Sequence, residues 1–215
     1  GQNQVASDGR EDIDRQAISL EQEDLVKLVY KANPNTVLVI VSSFPYSLTW
    51  SKDNVPAIIH VSQSSQELGN GLADVLFGKI SPAGRLVQTW TASIDQLPPI
   101  LDYNIRNGRT YMYDKNVPLF PFGYGLTYTS FKYSGLKIDR KSLSGDEIAN
   151  VTFNIQNAGN YDSDEVAQLY VSFPDSKVEM PVKALKGFAR VLIKKGETKA
   201  VSIPLKADDL KYRDI

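Results

Sequence analysis

Asn35–Ser43 reads NTVLVIVSS, five apolar residues in unbroken succession between polar neighbours. A strand with one wet face would alternate; this run does not. It predicts a strand covered on both faces in a parallel sheet. PAIIHVS, at 56–62, repeats the pattern. Upstream, SLEQEDLVKLVYKA at 19–32 predicts a helix, with Ser19 as cap, Glu21, Glu23 and Asp24 acidic in the first turn, and Leu25, Leu28, Val29 and Ala32 on one apolar face. Asn33-Pro34 ends it. Downstream, Leu68, Leu72, Val75 and Leu76 share a second helical face, and Gly78 can stop that helix. Helix, strand, strand, helix with short joints is the rhythm of an open α/β sheet, whose ligand crevice lies beyond the carboxyl ends of its strands. Glu67 stands in such a loop, at the mouth of the second helix.

The character changes at 81–130, where Pro, Gly and Tyr are dense (PAG, LPP, NGR, PLFPFGYGL) and no long periodic segment survives. Its aromatics predict an ordered, irregular connector. Beyond it, Val151, Phe153 and Ile155 alternate with polar residues, as do Ala167, Leu169 and Val171, and again Val201, Ile203 and Leu205. Short alternating strands joined by NAGN and KKGE turns predict an antiparallel β-sandwich. The expected division is therefore a partial α/β sandwich at 1–92, a connector at 93–130 and the β-sandwich at 131–215.

Composition narrows the chemistry. The 215 residues carry 24 basic and 25 acidic side chains, with no basic cluster interleaved with aromatics, which argues against nucleic acid as a partner. No stretch approaches the roughly 20 apolar residues of a membrane-spanning helix. No signal peptide is visible, and the opening GQNQ reads as a tag remnant or a cut end. Cysteine is absent, which removes thiolate nucleophiles, disulfides and sulfur metal sites. The single histidine, His60, lies inside an apolar run and reads as a packed strand residue rather than a triad member or zinc ligand. Catalysis is left to carboxylates, Tyr, Lys or Arg.

The glycines of GNG and GLADVLFG match neither the dinucleotide fingerprint nor the P-loop, so no phosphate cradle is expected. ASDGREDID, at 6–14, lacks the ligand order of a calcium loop and reads as a solvated turn. Glu67 has two readings from its position alone: an ordinary first-turn acid favoured by the helix dipole, or a catalytic carboxylate.

SQELGNGLADVLFGKISPAGRL at 65–86, GRTYMY at 108–113, PLFPFGYGLTYTSFKYS at 118–134 and the tail from Glu165 to Leu210 together resemble the C-terminal half of the family-3 glycoside hydrolases, the β-glucosidase and β-xylosidase group. The resemblance covers nearly the whole chain, with its motifs in the family's order. It implies a partial α/β sandwich domain followed by a fibronectin-III-like domain. It also implies an N-terminal TIM-like barrel, not contained in this chain, that supplies an aspartate nucleophile. The family's Gln-Glu pattern falls on Gln66, Glu67, Gly69, Asn70, Leu72 and Asp74 to Gly78, which makes Glu67 the implied general acid/base. Three positions depart from the pattern: Ser64-Ser65 replaces a frequent Pro-Gly, and Lys79 stands where an acid is common. Glu11 to Arg15 aligns with the family's Glu-x-x-Asp-Arg segment.

The implied activity is retaining, exo-acting hydrolysis of β-linked oligosaccharides or aryl glycosides, without cofactor or catalytic metal. GRTYMYDKNVPLFPFGYGL is closer to the β-xylosidase type. A periplasmic or secreted setting is implied as well. By the same resemblance the chain is a fragment, ending at Asp214-Ile215 before the last expected strands and inactive by itself. The alternative is a non-catalytic carbohydrate-binding or assembly module with Tyr111, Tyr113, Phe122, Tyr124 and Tyr128 as a stacking surface; packing is the competing use of those rings.

Overall fold

The computed structural model describes residues 18–20, 22–63 and 66–211. The expectations on the turn at 6–14, on Glu11 to Arg15, Glu21, Ser64-Ser65 and Asp214-Ile215 lie outside the described residues. The chain divides into two units, one drawn from Gly1–Ala73 and Leu86–Tyr124, the other from Asp74–Arg85 and Gly125–Ile215, as far as those spans are described.

In the first unit, α1 (Glu23–Ala32) begins later than the predicted 19–32. Ile18 and Leu20 are buried, and Ser19 between them forms a parallel bridge with Ser47, which draws these residues into extended backbone. Ser19 therefore does not cap the helix. Gln22 occupies the cap position without a side-chain capping bond. Glu23 acts across elements instead: its Oε1 accepts from the Ser51 amide at 3.1 Å and the Ser51 hydroxyl at 2.8 Å. That ties α1 to α2 (Thr49–Asn54), a short helix the sequence reading missed.

β1 (Val37–Val41) and β2 (Ala57–Val61) pair in parallel, Val37 opposite Ala57 through Val41 opposite Val61. The parallel prediction holds, and α2 lies on the crossover such a pair requires. Burial on both faces does not hold: only Ile40 of β1 is buried, and Val37 and Val41 are exposed. No residue of α1 is buried either, and the predicted apolar positions Leu25, Leu28 and Val29 face outward. The sheet has just these two strands among the described residues, too little area to cover either surface.

The core of this unit lies elsewhere. Leu20, Ile40, Tyr46, Leu48, Trp90 and Leu119 form one buried cluster, with Leu38, Ile58 and Phe120 packed against it. The connector closes it by folding back on itself. Trp90 bridges Phe120 in antiparallel fashion, its amide 2.9 Å from the Phe120 carbonyl. The Leu86 amide reaches the Tyr124 carbonyl at 2.8 Å. Within the loop between, Arg109 donates from Nε to the Asp102 carbonyl at 2.6 Å and from Nη2 to the Pro99 carbonyl at 2.5 Å, which holds a segment whose regular structure is a 3-10 turn at Ile105–Asn107.

The second unit contains the antiparallel sandwich. One sheet orders β3 (Phe131–Ile138), β4 (Ile148–Asn157) and β7 (Thr198–Lys206); the other pairs β5 (Ser163–Val171) with β6 (Ala184–Ile193). The predicted alternation appears as predicted on β4 and β7: Val151, Ile155, Val201, Ile203 and Leu205 are buried. Ile155, Ala167, Ile193, Val201 and Ile203 form the shared core. Among its polar members, Asn157 is fully buried and satisfied, donating to the Tyr161 and Ile193 carbonyls and accepting from Thr129 Oγ1.

The end of α3 (Leu68–Leu76) and the turn after it belong to this second unit. Gly78 adopts φ +70° at the helix stop, a conformation that favours glycine, while the Lys79 and Ile80 amides return to the Asp74 carbonyl. Tyr128 donates its hydroxyl to the Val75 carbonyl at 2.8 Å and its amide to Ser81 Oγ at 3.0 Å. Ser163 of β5 donates to the same Ser81 oxygen. The strongest attachment is Arg85, whose Nη2 lies 2.6 Å from Glu165 Oε2 of β5. Among the described residues no helix is long and apolar enough to cross a membrane.

Candidate active site

Glu67 immediately precedes α3. Its carbonyl accepts the Gly71 amide at 2.9 Å, the first helical bond, so Glu67 holds the N-terminal boundary position of the helix. Its side chain is exposed. The carboxylate is not loose: Oε2 accepts from Asn70 Nδ2 at 2.6 Å. Residues three apart on a helical turn share a face, which is why this pair can meet. The sequence reading singled out Glu67 but not this contact. Its only sequence signal is a Glu and an Asn at i and i+3, too common to be read alone.

The predicted helix forms and carries Leu68, Leu72, Val75 and Leu76, but none of its residues is buried; Leu76 is 41% exposed and Phe77, just past it, 88%. The helix thus shows the same outward apolar character as α1. Lys79, at the position where the resembled pattern favours an acid, pairs with Asp74 of α3 at 2.9 Å.

The other candidates are placed as follows. His60 Nε2 lies 3.1 Å from the Ser42 carbonyl and 3.2 Å from Ser42 Oγ, while that hydroxyl donates to the Phe44 carbonyl at 2.9 Å. Its ring meets Trp90 edge-on at 5.0 Å. This is a packed histidine pinning β1 to β2, not a base beside a free nucleophile. Tyr111 and Phe122 stack on each other with centroids 4.2 Å apart, Phe120 and Tyr124 at 5.6 Å, and Tyr113 is buried. Tyr128 meets Tyr161 in the second unit. These rings are engaged with protein rather than ranged as one open platform. Among the described residues no group of three or more His, Cys, Asp or Glu is placed to hold a metal. A cleft of about 250 Å³ between α1 and β1 is lined by Leu25, Val26, Leu38, Ile40 and Tyr46, among others, and its described lining has no carboxylate to do chemistry.

Fold and site define an α/β unit with an antiparallel β-sandwich unit, whose conspicuous chemical group is a carboxylate at a helix start. The family described as Glycosyl hydrolase family 3 C-terminal domain matches residues 1–128, and the Fibronectin type III-like domain matches residues 165–215. The chain belongs to glycosyl hydrolase family 3, of which it carries the C-terminal domain and a fibronectin type III-like domain.

Its relatives agree. A β-xylosidase of Formosa agariphila is 33% identical over 193 residues, 88% of this chain and 27% of the relative. Thermostable β-glucosidase B of Acetivibrio thermocellus is 35% identical over 209 residues, 91% of this chain and 28% of the relative. The crystal structure of a β-D-glucoside glucohydrolase from Trichoderma reesei superposes with a TM-score of 0.83 at 29% identity, covering 93% of this chain and 32% of that one. The chain thus spans about a quarter to a third of the length of the proteins it matches.

Proposed function

We propose that this chain is the acid/base-bearing part of a retaining exo-β-glycosidase of the β-xylosidase or β-glucosidase type, with Glu67 as the general acid/base. The observation that carries the proposal is the placement of Glu67: an exposed carboxylate at the start of α3, contacted among the described residues by the Asn70 amide, within the span matched by the family. An ordinary first-turn acid would be exposed as well, so the weight of the reading rests on the Gln66-Glu67 position within the matched span.

Retaining hydrolysis uses two carboxyl groups about 5–5.5 Å apart. In the first step an aspartate, supplied by a barrel domain elsewhere in the protein, attacks the anomeric carbon as Glu67 gives its proton to the departing oxygen. In the second, the Glu67 carboxylate takes a proton from water as that water attacks the same carbon and the ester to the aspartate breaks. Glu67 ends as it began, protonated. One carboxylate cannot complete this cycle, so the chain alone is expected to be inactive. The substrates proposed are β-linked oligosaccharides and aryl β-glycosides with a terminal xylose or glucose. We also keep the division near residue 130, supported by β3 beginning at Phe131.

The test is Glu67→Gln in the full-length protein, assayed on aryl β-xylosides and β-glucosides. Loss of general acid catalysis lowers turnover of substrates with poor leaving groups by about 10²- to 10⁴-fold. Dinitrophenyl glycosides, whose leaving group needs no proton, lose far less in the first step. Undiminished turnover of an unactivated substrate by Glu67→Gln rejects the assignment.

A further inference from the structure

We infer that Asn107 is the chain's site of spontaneous deamidation, and that losing its amide unfastens the turn around Asp102. The sequence contains two Asn-Gly pairs, Asn70-Gly71 and Asn107-Gly108. In such a pair the glycine has no Cβ to shield its own amide nitrogen. That nitrogen, its proton lost to solvent, bonds to the side-chain carbonyl carbon of the asparagine. The bond from this carbon to the side-chain nitrogen breaks, and ammonia leaves. Water then adds to either carbonyl of the resulting cyclic imide, which opens to aspartate or isoaspartate. Water is consumed, ammonia is released, and nothing is oxidised or reduced.

The two pairs are alike at the side chain and differ in the backbone. Both asparagines are exposed. Each gives its amide to a carboxylate, Asn70 to Glu67 at 2.6 Å and Asn107 to Asp102 at 2.7 Å, so the departing nitrogen is held in the same way at both. The attacking nitrogens are not. Gly71 lies inside α3 with its N–H 2.9 Å from the Glu67 carbonyl, and freeing it means opening a turn of that helix. Asn107 is the last residue of the 3-10 turn Ile105–Asn107, and Gly108 closes the turn at φ +85° with its N–H 3.3 Å from the Ile105 carbonyl. That bond is long, in a type of turn whose bonds are poorly aligned, so local opening at Gly108 costs less.

The product does not suit the turn. Asp102 accepts from Asn107 at one oxygen and from the Asn104 amide, 3.0 Å away, at the other. These bonds, that of Asn107 foremost, hold the Asp102 carboxyl below the usual carboxylate range. Aspartate at position 107 removes the donor and sets a like charge against Asp102. Isoaspartate also lengthens the backbone there. The turn leads directly into Arg109, which fastens the Pro99, Ile100 and Asp102 carbonyls.

The test ages the full-length protein in mildly alkaline buffer and follows the two Asn-Gly peptides by mass spectrometry. Each native rate is divided by the rate of the same peptide in urea-unfolded protein. On this scale Asn107 should react at least about tenfold faster than Asn70, the ratio that about 1.4 kcal/mol of additional opening cost produces. Comparable rates, a faster Asn70, or no reaction at Asn107 overturns the site assignment. Amide hydrogen exchange across residues 102–109 then reads the consequence. It should be about 3- to 10-fold faster in Asn107→Asp than in the parent protein. The deamidated fraction of the aged protein, separated by its added negative charge, gives the same reading without a substitution. Unaltered exchange in both overturns the unfastening.

Discussion

Replacing Glu165 by Gln tests the attachment of the segment after α3 to the sandwich. Arg85 and Glu165 are joined at 2.6 Å with side chains 13% and 11% exposed, and Tyr133 donates its hydroxyl to the other Glu165 oxygen at 2.7 Å. Arg85 also reaches the Ala83 and Gly84 carbonyls, each at 3.2 Å from Nη1. Glutamine keeps the shape and removes the charge, leaving a guanidinium with little access to water. Unit charges about 4 Å apart attract by about 4 kcal/mol at an effective dielectric of 20. The phenol bond weakens as well when its acceptor becomes neutral, by about 1 kcal/mol. Against this stands the desolvation that the native pair already bears and the variant bears for Arg85 alone. Breaking a buried pair destabilises by about 3–5 kcal/mol, and the residual water contact places this case near the lower end, about 3 kcal/mol.

At roughly 2–4 °C per kcal/mol for a chain of this size, the second unit should melt about 6–12 °C lower, measured by calorimetry at neutral pH. The double replacement Arg85→Met with Glu165→Leu removes both charges and should recover most of that loss, giving a large coupling energy in the double-mutant cycle. A Glu165→Gln shift below about 2 °C, or a double variant as unstable as the sum of the two singles, would refute the reasoning.

The other predictions concern neighbouring groups and the site helix. Gly125→Ala should destabilise the same unit by about 2 kcal/mol or more in urea unfolding, because a Cβ there falls 2.1 Å from the Gly84 carbonyl oxygen and 3.1 Å from Arg85 Cδ; a change under about 0.5 kcal/mol contradicts it. Burial, then the hydrogen bond and charge of Glu165, push the Tyr133 phenol above its ordinary 10.0, with Arg85 opposing. The folded state therefore keeps a proton that the unfolded state releases, so this contribution to stability is intact below pH 10.0 and is lost as pH rises above it. Absorbance titration should show Tyr133 ionising late, and Glu165→Gln should bring it only part of the way back because burial is the larger cause. Gly71→Ala should stabilise the chain by up to about 1 kcal/mol, since its Cβ meets open space. An unchanged or lower midpoint in urea unfolding contradicts it.

How legible these features were in the sequence depended on whether their cause was local. β4 and β7 were readable because each has one dry and one wet face, and Val151, Ile155, Val201, Ile203 and Leu205 are buried where alternation placed them. The NTVLVIVSS run gave the parallel pairing correctly, since β-branched continuity is a property of the strand itself. It did not give the burial, which is a property of what covers the strand: Val37 and Val41 are exposed because the described sheet has only two strands. α2, with six residues, is shorter than any helical periodicity that could announce it, and it is held by Glu23 from another helix.

The same distinction separates the two ends of α3. Glu67 could be singled out because a predicted helix start and the family-like Gln-Glu pattern coincide at one place in the sequence. Arg85 and Glu165 are 80 positions apart, each unremarkable in its own segment, and only the fold makes them partners. A charged pair nearly excluded from water is unfavourable in isolation for either member, so no single-site pattern can signal it. Its presence shows that the turn after α3 is bound to the sandwich by a bond that exists only when both segments are folded. The stability of that turn, and of the helix end it follows, is therefore a tertiary property, and the calorimetric cycle on Arg85 and Glu165 measures it directly.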